Sequence, residues 1–99
     1  MKAYILTFFL FFASLASSAQ NIQGTITDIN NKPLEAVNIS VIDLKGGITS
    51  DKKGEYNISI KANRSYVLAF SFIGYETEKI RIPMLKKGQQ YILNIVLKE

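Results

Sequence analysis

The acidic pair Glu76 and Glu78 is the first place in this chain where chemistry could reside. Two positions apart on an extended strand, they share one face and stand about 7 Å apart along it, a separation within the range used by the paired carboxylates of glycoside hydrolases. Such a pair needs a cleft, which a domain of this size has little room to form. With Lys79 and Arg81 beside them as counter-charges, a solvated strand face accounts for the same residues. Asp43, Asp51 and Glu55 flank turns and could offer oxygen ligands to Ca²⁺. Asp51 has a nearer use in capping its own turn, and Lys52 and Lys53 adjoin it. Tyr56, Tyr66, Tyr75 and Tyr91 could present stacking faces to a sugar, although Trp is absent and three of them fall in phase with core positions. Lys86-Lys87-Gly88 could touch a phosphate head group, or be a solvated turn. With neither His nor Cys in 99 residues, Ser-His-Asp triads, Cys-His pairs and zinc sites of the usual nitrogen and sulfur ligands are excluded. No catalytic, metal or cofactor site is expected, and the chain reads as a non-enzyme.

The elements that would carry these residues are short strands. Residues 66–75, Y-V-L-A-F-S-F-I-G-Y, form the longest apolar run outside the N-terminus. The two-residue period of a strand puts Leu68, Phe70 and Phe72 on one face and Val67, Ala69, Ser71 and Ile73 on the other, so a central strand covered on both faces is predicted. Around it, β-branched and aromatic runs alternate with Gly, Asn, Asp, Lys and Pro about every 8–12 residues, the cadence of an all-β sandwich or barrel. Residues 22–29 are a first strand with Ile22, Gly24 and Ile26 on one face, Gly24 marking a bulge or a close backbone contact. Pro33 stands in the turn that follows. Residues 36–44 place Val37, Ile39 and Val41 inward, and residues 48–50 make a short extended piece. Asp51-Lys52-Lys53-Gly54 has the chemistry of a type I turn closed by a bulge and predicts a hairpin. Its second arm, 55–60, points Tyr56, Ile58 and Ile60 inward. Gly74 sits where a side chain would obstruct a tight bend. In the return strand, 75–83, Tyr75 and Thr77 are out of phase with Ile80 and Ile82, which predicts a bulge near Glu78-Lys79. Residues 91–97 close the count with Tyr91, Leu93, Ile95 and Leu97 inward. The fold expected is a seven-stranded antiparallel Greek-key β-sandwich without helix.

Residues 1–19 read as a signal peptide: Lys2 supplies positive charge, residues 4–13 an apolar stretch too short to span a bilayer, and Ser17-Ser18-Ala19 a cleavage site that leaves Gln20 first. The domain is then 20–99, with no transmembrane segment in the mature chain. Losing Lys2 leaves eleven basic and eight acidic side chains, a net charge of +3. These charges are interspersed rather than gathered in a stripe, so nucleic acid is not the partner. An exported domain without cysteine must be held by its apolar strand faces alone, which favours a bacterial envelope over an animal secreted module.

Three blocks carry a resemblance: residues 22–41 (I-Q-G-T-I-T-D…K-P-L-E-A-V-N-I-S-V), 47–60 (G-I-T-S-D-K-K-G-E-Y-N-I-S-I) and 68–77 (L-A-F-S-F-I-G-Y-E-T). In that order and spacing, over essentially the whole mature chain, the sequence resembles the carboxypeptidase-regulatory-like domain, a transthyretin-like β-sandwich common in exported proteins of Bacteroidota. The resemblance implies that Gly24, Pro33, Leu34, Ala36, Asp51, Gly54, Tyr56, Gly74 and Tyr75 are turn, bulge and core residues. It also implies a place ahead of the plug and barrel of a TonB-dependent outer-membrane receptor, or beside a peptidase or carbohydrate-active enzyme. The zinc chemistry in the family's name finds no imidazole here. The sequence ends at Lys98-Glu99, after the last strand, so a transporter role does not carry over.

The function expected is that of a non-enzymatic accessory or interaction module of the periplasm or outer membrane, or one that is secreted. Its partner would be another envelope protein, met through the last strand, where Ile92 and Val96 are apolar on a face that Asn38, Ser40, Asn57 and Ser59 make polar elsewhere. A small carbohydrate-binding module with a polysaccharide partner, and a truncated remnant of a receptor, are the alternatives. The oligomeric state is open.

Overall fold

Alternation of apolar and polar side chains folds residues 20–61 and 63–99, which the computed structural model describes, into eight short strands. The signal peptide expected over residues 1–19 lies outside the described residues. One sheet contains β1 (Gln20–Thr27) between β4 (Glu55–Ile60) on one side and β7 (Gln90–Ile92) and β8 (Ile95–Val96) on the other. The second runs β3 (Gly47–Thr49), β2 (Asn38–Val41), β5 (Tyr66–Ser71), β6 (Glu78–Ile82). Their inner faces meet in one core in which Ile22, Ile26, Val37, Ile39, Leu68, Phe70 and Ile82 are fully buried. The all-β, two-sheet sandwich predicted from the pattern is the fold observed.

The last strand departs from the antiparallel scheme. Ile22 opposes Tyr91 and Ile26 opposes Ile95 in one unbroken register, so β7 and β8 are a single strand interrupted at Leu93-Asn94, and the count on register is seven. That strand lies parallel to β1, making its sheet mixed. The reason is topological: the chain leaves β6 in the other sheet, crosses at the end where β1 begins, and can only run the same way as β1.

Other expectations are corrected by the pairing. The arms around Asp51–Gly54 do not form a hairpin, because β3 and β4 belong to different sheets and the turn passes from one to the other. Ser50 explains the parting. Its buried hydroxyl accepts the Val37 N–H at 3.0 Å and donates to the Leu34 carbonyl at 2.7 Å, which holds the first arm against β2. No bulge interrupts β6, whose register with β5 is uniform from Phe70 opposite Glu78 to Tyr66 opposite Ile82. Tyr75 and Thr77 are out of phase because residues 72–77 are a turn. The second face of β5 is not covered as predicted: Val67, Ala69 and Ser71 are half-buried, and Ile73 is 96% exposed in the turn. Leu44 is also exposed, outside β2.

Three buried residues carry no sequence signal. Leu85, in the connection from β6 to β7, plugs one end of the core, and its carbonyl accepts the Asn63 N–H at 3.0 Å. Gln20 is buried with its amide spent twice, donating to the Ile60 carbonyl at 3.0 Å and accepting the Gly88 N–H at 3.1 Å. Ser50 is the third, and no buried polar side-chain atom among the described residues lacks a partner.

At the centre of the mixed sheet Gly24 opposes Tyr56 on the inner row, and a Cβ on Gly24 would collide with the carbonyl of Leu93. The obstacle is backbone, so it cannot swing aside. Gly24→Ala is therefore expected to cost about 1–3 kcal/mol, the overpacking range. Urea denaturation of the folded chain checks this, and a variant as stable as the parent would refute the contact.

Candidate functional site

The residues singled out by the sequence fall into three groups. Asp51, Gly54 and Pro33 meet at one end of the sandwich. The Asp51 carboxylate accepts the N–H groups of Lys53 and Glu55, both at 2.9 Å, and the Gly54 carbonyl accepts the Ile26 N–H at 2.8 Å. Thr27 bridges to Pro33 alongside. With its oxygen committed to the turn, Asp51 has a structural task, and Asp43 stands at the opposite end of the fold, after β2. No group of three potential metal ligands occurs among the described residues.

Gly24 and Tyr56 form the second group. The Leu93 carbonyl takes the space that Gly24 leaves and there accepts the Tyr56 hydroxyl at 2.7 Å. The Tyr56 ring meets Phe70 of the other sheet edge to face, centroids 5.5 Å apart. Burial pushes the hydroxyl well above its ordinary pKa of 10.0. Tyr66 is also buried, so neither it nor Tyr56 offers a free face to a sugar.

Gly74 and Tyr75 form the third, in the turn between β5 and β6. A side chain on Gly74 would meet open space, so obstruction is not what selects glycine there; its φ of +87° is. The Tyr75 ring packs on Phe72 at 5.6 Å, and burial, with the Glu99 and Asp28 carboxylates adding to it, raises its pKa. The carboxylate pair is not on one strand: Glu76 precedes β6 and donates its N–H to the Lys98 carbonyl at 2.7 Å, which ties the turn to the end of the last strand. Glu76 and Glu78 are both exposed.

Of these groups, Tyr75 lines an open depression of about 470 Å³ with Asp28, Leu97 and Glu99, and Gly24, Asp51 and Tyr56 border another. A further surface with unused binding capacity is the outer face of the mixed sheet. Its rows are polar from strand to strand, with Ser59 bonded to Asn21 at 2.9 Å and Asn57 to Gln23 at 3.2 Å. The last strand breaks this pattern: Ile92, opposite Gln23, is 61% exposed, and Val96, opposite Thr27, is 50% exposed. Between them Asn94 turns its side chain onto β1, its carbonyl oxygen accepting the Thr25 N–H at 2.9 Å. Beside Ile92 lies an open depression of about 640 Å³ lined by Gln23, Thr25, Asn57 and Asn94 among others. Among the described residues the strand is also an edge, pairing with β1 on one side alone.

Comparison with known proteins follows the same lines. Residues 22–99 match the CarboxypepD_reg-like domain family. TonB-dependent receptor P3 of Formosa agariphila is 30% identical over 99 residues, which cover 98% of this chain and 9% of the receptor. TonB-dependent receptor P39 of the same organism is 29% identical over 82 residues, covering 83% of this chain and 8% of that protein. The chain thus spans about a tenth of the length of the receptors it matches. Among solved structures, 3-chlorocatechol 1,2-dioxygenase from Rhodococcus opacus superposes with a TM-score of 0.67 at 9% identity, covering 85% of this chain and 61% of that one. At that identity the likeness is one of fold alone.

The raised pKa of Tyr56 has a signed consequence. Above its ordinary value of 10.0 the unfolded chain releases the phenol proton while the folded chain keeps it, so the folded state loses ground as pH rises. Stability from this residue is complete below pH 10.0 and falls above it. Tyr56→Phe is expected to cost about 1 kcal/mol at neutral pH for the lost hydrogen bond and to flatten the alkaline limb. Urea melts of parent and variant from neutral to alkaline pH test this, and identical alkaline limbs would overturn it.

Proposed function

The chain belongs to the CarboxypepD_reg-like domain family, and from that premise we propose that it is an exported, non-enzymatic interaction module of the bacterial cell envelope. It engages another envelope protein through the last strand. The observation that carries this reading is the exposure of Ile92 and Val96 on an otherwise polar sheet face, along a strand that pairs on one side alone among the described residues. An edge strand presents unpaired N–H and C=O groups to which an extended segment of a partner can add, and apolar side chains at alternate positions give such an addition its register. Similarity to two TonB-dependent receptors supports an envelope setting. A sequence with no imidazole and no thiol supports a binding role over catalysis.

The test is an affinity capture from envelope extracts with the parent chain and with Ile92→Asp combined with Val96→Asp. Both positions are exposed, so the double variant is expected to keep its stability to within about 0.5 kcal/mol per site while losing the captured protein. Undiminished capture by a folded double variant would exclude this surface.

A further inference from the structure

The charges of the sandwich are sorted between its two ends. One end is built from the start of β1, the turns after β2 and β4, and the connection from β6 to β7, tied together by Asn63 to Leu85 at 3.0 Å and Gly88 to Gln20 at 3.1 Å. It holds Lys45, Lys61, Arg64, Arg81, Lys86 and Lys87 against one carboxylate, Asp43. The rest of the sandwich holds the five remaining basic side chains after residue 19 against seven acidic ones. A modest net charge of +3 therefore resolves into +5 at one end and −2 elsewhere.

Two further features lie at the basic end. Leu44 and Met84 are exposed there by 51% and 67%, at loop tips beside the cations. Arg64, Ser65 and Arg81 line a cavity of about 240 Å³, shared with Leu44, Tyr66 and Asp43. Guanidinium groups pair readily with phosphate oxygens, and this cavity brings two of them to one lining with a hydroxyl beside them. Cations mixed with isolated apolar tips are the composition of surfaces that rest in the head-group layer of a bilayer.

We infer that the basic end of the sandwich is a docking surface for an anionic phospholipid bilayer, with head-group phosphates held by Arg64, Arg81 and the neighbouring lysines while Leu44 and Met84 enter the interface. This contact is separate from the face bearing Ile92 and Val96 and does not rest on the partner proposed for it.

Residues 20–99 contain every strand and every core side chain described, so the sandwich without its leader is the folding unit to test. Sedimentation with phosphatidylglycerol vesicles is expected to exceed that with phosphatidylcholine vesicles and to fade as salt is added. Each cation near an anionic surface is worth roughly fivefold in partitioning. Replacing Lys61, Lys86 and Lys87 together by Gln is therefore expected to lose roughly a hundredfold, while the same change at Lys32, Lys52 and Lys53, at the far end, leaves most of the binding. Orientation is read separately. The chain has no Trp, so Leu44→Trp reports on the basic end and Ile73→Trp on the other. On adding anionic vesicles, emission from the first shifts to the blue and from the second stays in place. Equal losses from the two lysine sets, a shift at position 73 instead of 44, or no preference for anionic vesicles each overturns the inference.

Discussion

A hydrogen bond across an absent side chain is the point at which this fold's strands are tied to one another. The Leu93 carbonyl turns toward the core because Gly24 leaves room for it, and there it accepts the hydroxyl of Tyr56. Tyr56 belongs to β4, Gly24 to β1 and Leu93 to the interruption in the last strand, so one contact joins all three strands of the mixed sheet. The ring of Tyr56 packs edge to face on Phe70 and joins the opposite sheet as well. In a domain of this size, with no disulfide, such a crossing point adds to the apolar packing a specific tie between strands. It also interrupts the outer strand at Leu93-Asn94, where Asn94 supplies by its side chain the acceptor that Thr25 requires.

The rest of the architecture follows from where the chain changes sheets. It does so four times, after β1, β3, β4 and β6. Two of these crossings are secured by buried polar groups with complete partners, the Asp51 turn after β3 by Ser50 and the connection through Leu85 after β6 by Gln20. Polar side chains in an apolar core are tolerated only when paired, and here their pairing fixes the path of the loops.

Much of this was legible in the sequence, and what escaped has one cause. The two-residue period identified Ile22, Ile26, Val37, Ile39, Leu68 and Phe70 as core, because alternation is a local property that a strand cannot hide. The chemistry of Asp51 to Gly54 specified a turn but not which strands its arms would join, since pairing is decided by neighbours distant in the chain. The parallel last strand was missed for the same reason. Leu85 sits in P-M-L-K-K with no period to mark it, and its burial depends on the end of the sandwich that it closes. The outward phase of Ile92 and Val96 could be read directly, whereas the sorting of charge could not. Lysines dispersed along the chain gather at one end only once the loops that carry them are brought together.

The parallel pairing of the first and last strands bears on how the sandwich answers a pull. Gln20 opens β1 at one end and Leu97 follows the last strand at the other, and the two strands are neighbours in one register. Tension applied through those ends draws the strands past each other lengthwise, so the hydrogen bonds between them share the load and must yield together. An antiparallel neighbour would have been peeled open one rung at a time.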